Sequence, residues 1–263
     1  MAFGAFTLAK QAGFDFGFQS DAQPLKPARL YLMPCVTGHW SMSRRRWHEL
    51  LQAVRDGATL YISYQDGFLS QFEAVTGLRV ESRERRSEPM KIRFAGHGDD
   101  LVVFEQRPVR MNLESRGAEV LATEEDGNPA MAVSHYGKGR VIFLAAPLEL
   151  EAVKKPRGFA TPLVDPAVWV YRQVAKRAKL SRVIGKTDTR VGVTEHSVTA
   201  KSRIAVLINY FPEALELPIT LSRGWTVDKA LYGEKPAKED AGWRCRIKAN
   251  DALVFRVTHG RSG

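Results

Sequence analysis

The sequence predicts two domains, an α/β domain over residues 1–180 and a small all-β sandwich over residues 181–263. In the first part, segments with helical spacing alternate with short apolar runs, as helices and strands do around a parallel sheet. From about Ser181 onward every segment is short and strand-like, with Gly224, Gly233 and Gly242 between segments. Several short strands separated by turns are typical of a sandwich.

A strand–helix–strand unit gives the first domain its predicted architecture. Residues 28–34 form a mostly apolar strand, and Ser41 or Ser43 can cap the helix that follows. That helix ends at Gly57, and residues 58–64 are apolar enough to form a strand buried on both faces. A unit of this length implies parallel strands joined by a right-handed crossover, and hence a doubly wound sheet.

Periodicity and turn residues predict the other elements. A helix closes at Gly13, and residues 14–18 alternate as a strand does. The run Tyr-Gly-Lys-Gly-Arg at 136–140 is typical of a tight hairpin turn. Further strands are expected at 90–94, 101–104, 118–123, 130–134, 141–145, 190–194, 203–209, 215–220, 244–248 and 252–257, and a helix at 165–179.

The formal net charge of +10 raises the question of nucleic-acid binding. No zinc-finger spacing, ribonucleoprotein motif or basic region followed by heptads occurs in the sequence. Glutamates alternate with the basic cluster of Arg83, Arg85 and Arg86. The charge pattern therefore favours a solvated or oligomer-facing basic surface, and nucleic acid is not expected as a partner.

The sequence also limits the cellular setting. No apolar run approaches the roughly 20 residues that span a bilayer, so a membrane partner is not expected. The N-terminus lacks the charged region that opens a signal peptide. Cys35 and Cys245 are too few for a disulfide framework and fit a reducing compartment. These features predict a cytoplasmic location.

Several segments, in this order, resemble the C-terminal half of β-galactosidases of glycoside hydrolase family 42. They are Ala-Gly-Phe-Asp-Phe (12–16), Leu-Tyr-Leu-Met-Pro (30–34), Asp-Gly-Ala-Thr-Leu-Tyr-Ile-Ser-Tyr-Gln-Asp-Gly (56–67), Gly-Asn-Pro-Ala (127–130), Tyr-Gly-Lys-Gly-Arg-Val-Ile-Phe-Leu (136–144), Val-Leu-Ile-Asn-Tyr (206–210) and Asn-Asp-Ala-Leu-Val-Phe (250–255). The resemblance implies a flavodoxin-like domain, similar to class I glutamine amidotransferases, that forms trimers. It also implies a small accessory β domain.

The same resemblance bears on catalysis. In that family, hydrolysis belongs to a separate TIM barrel with two glutamates. A barrel alone takes about 250 residues, so this chain has no room for one beside the two predicted domains. We therefore expect a non-catalytic portion of a glycoside hydrolase, a homo-oligomer, and a barrel supplied in cis or in trans. Such a domain normally opens with a strand, which we expect upstream in a longer parent protein.

A self-sufficient enzyme of the amidotransferase-like superfold is the alternative. Its nucleophile would be a cysteine at a strand-to-helix elbow, yet residues 64–67 offer no thiol. Cys35, after the preceding strand, or an acid/base group near Asp66 would have to serve instead. The six histidines show no metal-type spacing, and no cofactor is expected.

Ligand contact, if present, is expected beyond the carboxyl ends of the parallel strands. These ends carry His39 and Trp40 after one strand and Tyr64, Gln65 and Asp66 after the next. Aromatic rings stack on sugar faces while carboxylates accept hydroxyl hydrogen bonds, so these residues are candidate carbohydrate contacts. A free-standing carbohydrate-binding protein therefore stays open.

The tryptophans have competing interpretations. Packing of Trp40 against the domain or a subunit interface is the simpler alternative to sugar contact. Trp47 shares the apolar face of its helix and is expected in the core. Trp225 and Trp243 favour core or hairpin packing over a carbohydrate platform.

Overall fold

A computed structural model describes residues 1–38, 41–96, 101–105, 109–154, 165–186 and 188–260. The described residues form two compact units. The first is drawn from 1–5, 17–155 and 173–179, and the second from 6–16, 156–172 and 180–263. The division at residue 180 stays a prediction. Within the described ranges, no helix is both long and apolar enough to cross a membrane.

The first unit contains a seven-stranded sheet and a separate strand pair. The helices of the described residues are α1 (Ala2–Ala12), α2 (Arg44–Arg55), α3 (Phe72–Thr76), α4 (Leu148–Lys154) and α5 (Asp165–Arg177). The strands of this unit are β1 (Leu30–Val36), β2 (Thr59–Tyr64), β3 (Leu78–Glu84), β4 (Met90–Phe94), β5 (Val102–Phe104), β6 (Arg110–Ser115), β7 (Glu119–Glu124), β8 (Pro129–Tyr136) and β9 (Gly139–Leu144). The sheet order is β1-β2-β9-β8-β7-β4-β5, and β3 pairs with β6.

The sheet is mixed rather than wholly parallel. β1 pairs with β2 and β2 with β9 in parallel, which confirms the strand–helix–strand prediction. β8 pairs antiparallel with β9, which follows it in the chain. The predicted hairpin joins the two strands, and its Gly137 adopts a left-handed φ of 62°. β7, β4 and β5 continue antiparallel. Parallel pairing is therefore limited to β1, β2 and β9, and the predicted wholly parallel sheet is wrong for the other strands.

Helix α2 forms as its sequence predicts. The Ser43 side chain caps it by accepting a hydrogen bond from the backbone N–H of Arg46. Trp47, Leu50 and Val54 lie on its buried face, so the expected core position of Trp47 is confirmed. The adjoining strand β2 is buried along its whole length.

Residues 14–18 do not form the predicted strand. Helix α1 ends where expected, with Gly13 at a φ of 86°. The ring of Phe14 then packs on Tyr171 and that of Phe16 on Phe6, each at 6.0 Å between centroids. Burial of the two rings explains the alternating pattern without any strand pairing.

The second unit contains two four-stranded antiparallel sheets. Its strands are β10 (Ile184–Lys186), β11 (Val191–Thr199), β12 (Ser202–Asn209), β13 (Leu215–Leu221), β14 (Trp225–Tyr232), β15 (Ala237–Glu239), β16 (Gly242–Ile247) and β17 (Ala252–His259). The orders are β10-β13-β16-β15 and β11-β12-β17-β14. One hydrophobic core draws on both sheets, for example Leu217 from β13 and Phe255 from β17. Trp225 and Trp243 pack against this core, as the core interpretation predicts.

A polar network ties the end of α1 to this β structure. Asp15 forms ion pairs with Lys10 and Arg182. The Nζ of Lys186 donates to the carbonyl oxygens of Gln11 at 3.1 Å and Asp188 at 2.6 Å. Burial, and then the positive charge of Arg172, lower the pKa of Lys186 to about 7.

Stability should therefore depend on pH through Lys186. The unfolded chain keeps this proton up to the ordinary value of 10.5, whereas the folded chain releases it near pH 7. Between these values the unfolded state binds more protons, so the free energy of unfolding contributed by Lys186 rises with pH. Urea unfolding of wild type and Lys186→Met from pH 6 to 10 should show wild type gaining stability relative to the variant. A constant difference across that range would contradict the pKa.

Candidate functional site

The loops that follow β1 and β2 lie where the sequence places a ligand, beyond the carboxyl ends of parallel strands. We call residues 37–38 and 65–68 the strand-end loops. Backbone hydrogen bonds join them: the N–H of Gln65 donates to Val36 O at 3.0 Å, and that of Phe68 to Gly38 O at 3.2 Å. The two loops therefore form one connected structure.

Asp66 and Gly67 fix the conformation of these loops. The exposed Asp66 carboxyl accepts hydrogen bonds from the Thr37 hydroxyl and from the N–H of Gly38, the latter at 3.1 Å. A Cβ at Gly67 would lie 2.6 Å from a methyl carbon of Val36, so a side chain there would force the loops apart. Asp66 thus has a structural role in closing the loops.

Tyr64 supports the loops from beneath. Its side chain is 1% exposed, and its ring lies 5.9 Å from that of Phe143. The hydroxyl donates to Gly67 O at 2.6 Å and accepts from a guanidinium nitrogen of Arg83 at 3.1 Å. Burial raises its pKa. Its ring has no free face for a sugar in this structure.

The same arginine reaches an aromatic side chain that the sequence analysis missed. The guanidinium carbon of Arg83 lies 4.6 Å from the ring centre of Phe68, and its Nη1 donates to Gly67 O at 3.2 Å. Phe68 is nevertheless 68% exposed. The available signal was an aromatic residue directly after the Asp66-Gly67 turn, at the end of a buried strand.

The other predicted contact residues are His39, Trp40 and Gln65. His39 and Trp40 lie outside the described residues. Gln65 is half-buried, and its backbone oxygen accepts from the N–H of Val109 at 3.1 Å. Carbohydrate contact by Gln65 or Asp66 stays a prediction. No group of His, Cys, Asp and Glu suited to a metal ion occurs within the described ranges.

Cys35, the alternative nucleophile, lies in a buried polar cluster with Ser63 and Glu149. A bulge after Met33 gives Cys35 a left-handed φ of 52°. Its N–H donates to the Ser63 hydroxyl at 2.6 Å, and its Sγ lies 3.4 Å from Oε2 of Glu149. The Ser63 hydroxyl donates to the same Glu149 oxygen. Glu149 is fully buried.

Electrostatics oppose a nucleophilic role for Cys35. Burial, reinforced by Glu149, raises the pKa of the Cys35 thiol to about 12. Burial also raises the pKa of Cys245 to about 12. Because the thiolate is the nucleophile, only about one molecule in 10⁵ would be reactive at neutral pH. The Cys35 cluster thus fits a structural role.

The chain thus consists of an α/β unit and a β unit. Each contains one cysteine, Cys35 in the first and Cys245 in the second, and both thiols are buried and protonated. Residues 52–179 match the family described as the β-galactosidase trimerisation domain. This match confirms the predicted resemblance to β-galactosidases of glycoside hydrolase family 42.

Solved structures share the fold over nearly the whole chain. The β-galactosidase from Bacillus circulans sp. alkalophilus aligns over 96% of this chain and 36% of its own, with a TM-score of 0.66 and 12% identity. The β-galactosidase from Rahnella sp. R3 covers the same shares, with a TM-score of 0.62 and 15% identity. The α-L-fucosidase isoenzyme 2 from Paenibacillus thiaminolyticus aligns over 98% of this chain and 45% of its own, with a TM-score of 0.66 and 12% identity.

The chain therefore spans about a third of the length of the β-galactosidases it matches. No match was found among curated proteins. The neighbours, at such low identity, establish the fold alone.

Both thiols should be inert in the folded protein. Because each is buried with a pKa raised to about 12, Ellman's reagent at pH 8 should label neither at an appreciable rate until the chain is unfolded. In guanidinium chloride both should react at once. Rapid labelling of native Cys35, lost in Cys35→Ser, would restore it as a candidate nucleophile.

Proposed function

We propose that this chain is the non-catalytic, oligomer-forming portion of a β-galactosidase-like glycoside hydrolase. The observation that carries the proposal is the match of residues 52–179 to the β-galactosidase trimerisation domain. A catalytic barrel, in cis or in trans, would supply the acid/base and nucleophile glutamates. The chain would hold several such barrels in a fixed arrangement.

The extent of the structural matches supports this division of labour. The chain aligns almost completely with only 36% of a β-galactosidase and 45% of an α-L-fucosidase. Since enzymes with two different named activities contain this fold, the fold itself does not set the sugar. Substrate choice would then belong to the barrel.

The finer architecture forms part of the proposal. The parallel strands β1, β2 and β9 support a flavodoxin-like arrangement similar to class I glutamine amidotransferases for the first domain. The core shared by two antiparallel sheets supports a β-sandwich for the second. The domain boundary at residue 180 is proposed on the same basis.

The remaining predictions concern ligand and location. Gln65 and Asp66 stay proposed carbohydrate contacts, and Asp66 is exposed as such a contact requires. A cytoplasmic location also stays a prediction; Cys35 and Cys245 are both free thiols, as a reducing compartment would keep them.

Oligomer formation is the direct test. Size exclusion coupled to light scattering should give a trimer, three copies of the 29.4 kDa chain or about 88 kDa. The mass should persist at high salt, because salt screens exposed charges but not apolar burial. A mass of 29.4 kDa at every concentration would contradict the proposal.

A further inference from the structure

We propose that Phe68 is the apolar anchor through which one copy of this chain binds a second copy. The inference rests on the proposed function, since it assigns a specific side chain to the oligomer contact. It also gives the strand-end loops a role in assembly.

Exposure singles out Phe68. Among the described residues of 52–179, two large hydrophobic side chains are exposed, Phe68 at 68% and Val103 at 47%. Aromatic side chains bury the largest area at protein interfaces and dominate their binding energy. Phe68 is therefore the described side chain of this segment best suited to anchor a partner.

The loops present Phe68 in a fixed position. Its N–H is bonded to Gly38 O, and the preceding Gly67 is packed so closely on Val36 that a Cβ would collide with it. Arg83 stacks on the ring while donating to both Gly67 O and the Tyr64 hydroxyl. A side chain held in this way loses little conformational entropy on binding, so more of its burial contributes to affinity.

The partner's surface follows from symmetry. A closed trimer uses head-to-tail contacts, in which one surface of each copy meets a different surface of the next. Away from the threefold axis, Phe68 would therefore fit a patch elsewhere on the second copy rather than another Phe68. The same contact occurs three times, so one substitution weakens all three.

Phe68→Ala tests the inference, and Phe18→Ala is its matched control. Phe18 is 66% exposed but lies outside residues 52–179. A tenfold loss at each of three contacts raises the concentration at which half the chains are assembled about thirtyfold. Sedimentation equilibrium of the full chain should show at least that rise for Phe68→Ala and less than threefold for Phe18→Ala. Circular dichroism checks that both variants stay folded.

Arg83→Lys provides a second, independent variant. It keeps the charge but removes the planar group that stacks on the ring and bonds two oxygens. Its midpoint concentration should lie between those of wild type and Phe68→Ala. An unchanged midpoint would contradict the positioning role of Arg83.

The outcomes separate the two proposals. A wild-type trimer that Phe68→Ala leaves intact overturns the anchor alone, and so does an equal loss in Phe18→Ala. A wild-type monomer overturns the proposed function and the anchor with it. Both proposals are supported if wild type forms a trimer that Phe68→Ala weakens strongly and Arg83→Lys weakens less, while Phe18→Ala leaves it intact.

Discussion

The fold of the first unit depends on how the fully buried Glu149 is accommodated. A carboxyl group without hydrogen bonds in the protein interior is strongly destabilising. Here the Ser63 hydroxyl donates to Glu149 and accepts from the N–H of Cys35, so one side chain links β1, β2 and α4. The left-handed backbone of Cys35, uncommon for a non-glycine residue, is kept by these contacts. The cluster has the residue types of a catalytic site, but its burial and the raised pKa of Cys35 are those of a structural one.

The position of the strand-end loops follows from this cluster. Val36 comes directly after Cys35, and Gln65 lies two residues after Ser63, so the hydrogen bond between Gln65 and Val36 starts where the buried contacts end. From there Asp66, Gly67 and Arg83 fix the rest of the loops. A buried polar interaction therefore determines the surface that we propose for assembly. Phe68, the proposed anchor on this surface, lies within the segment matched to the trimerisation domain.

The sequence predicted elements whose signals are local. The Ser43 cap, the fully buried β2 and the hairpin at Gly137 all appear as expected, because the signals for capping, burial and turns lie within a few neighbouring residues. Strands β3 and β6 were missed; in β3, arginine and glutamate stand close together, as they do in a solvated loop. Residues 14–18 were taken for a strand because ring burial gives the same alternation. At the site, Tyr64, Gln65 and Asp66 lie at the end of a strand, as predicted. The position of the Phe68 ring could not be predicted, because it depends on contact with Arg83, which is distant in sequence and comes close only in the folded chain.

The most direct test of this account is amide hydrogen exchange in Ser63→Ala, with the exposed Ser70→Ala as control. Loss of the hydroxyl removes one hydrogen bond to Glu149 and leaves the buried N–H of Cys35 without its acceptor, so Ser63→Ala should lower the free energy of unfolding by about 1–3 kcal/mol. It should also speed exchange at the N–H groups of Gln65 and Phe68, whereas Ser70→Ala should change neither quantity. Wild-type stability and wild-type protection of those amides in Ser63→Ala would show that the loops do not depend on the buried cluster, and would contradict the account.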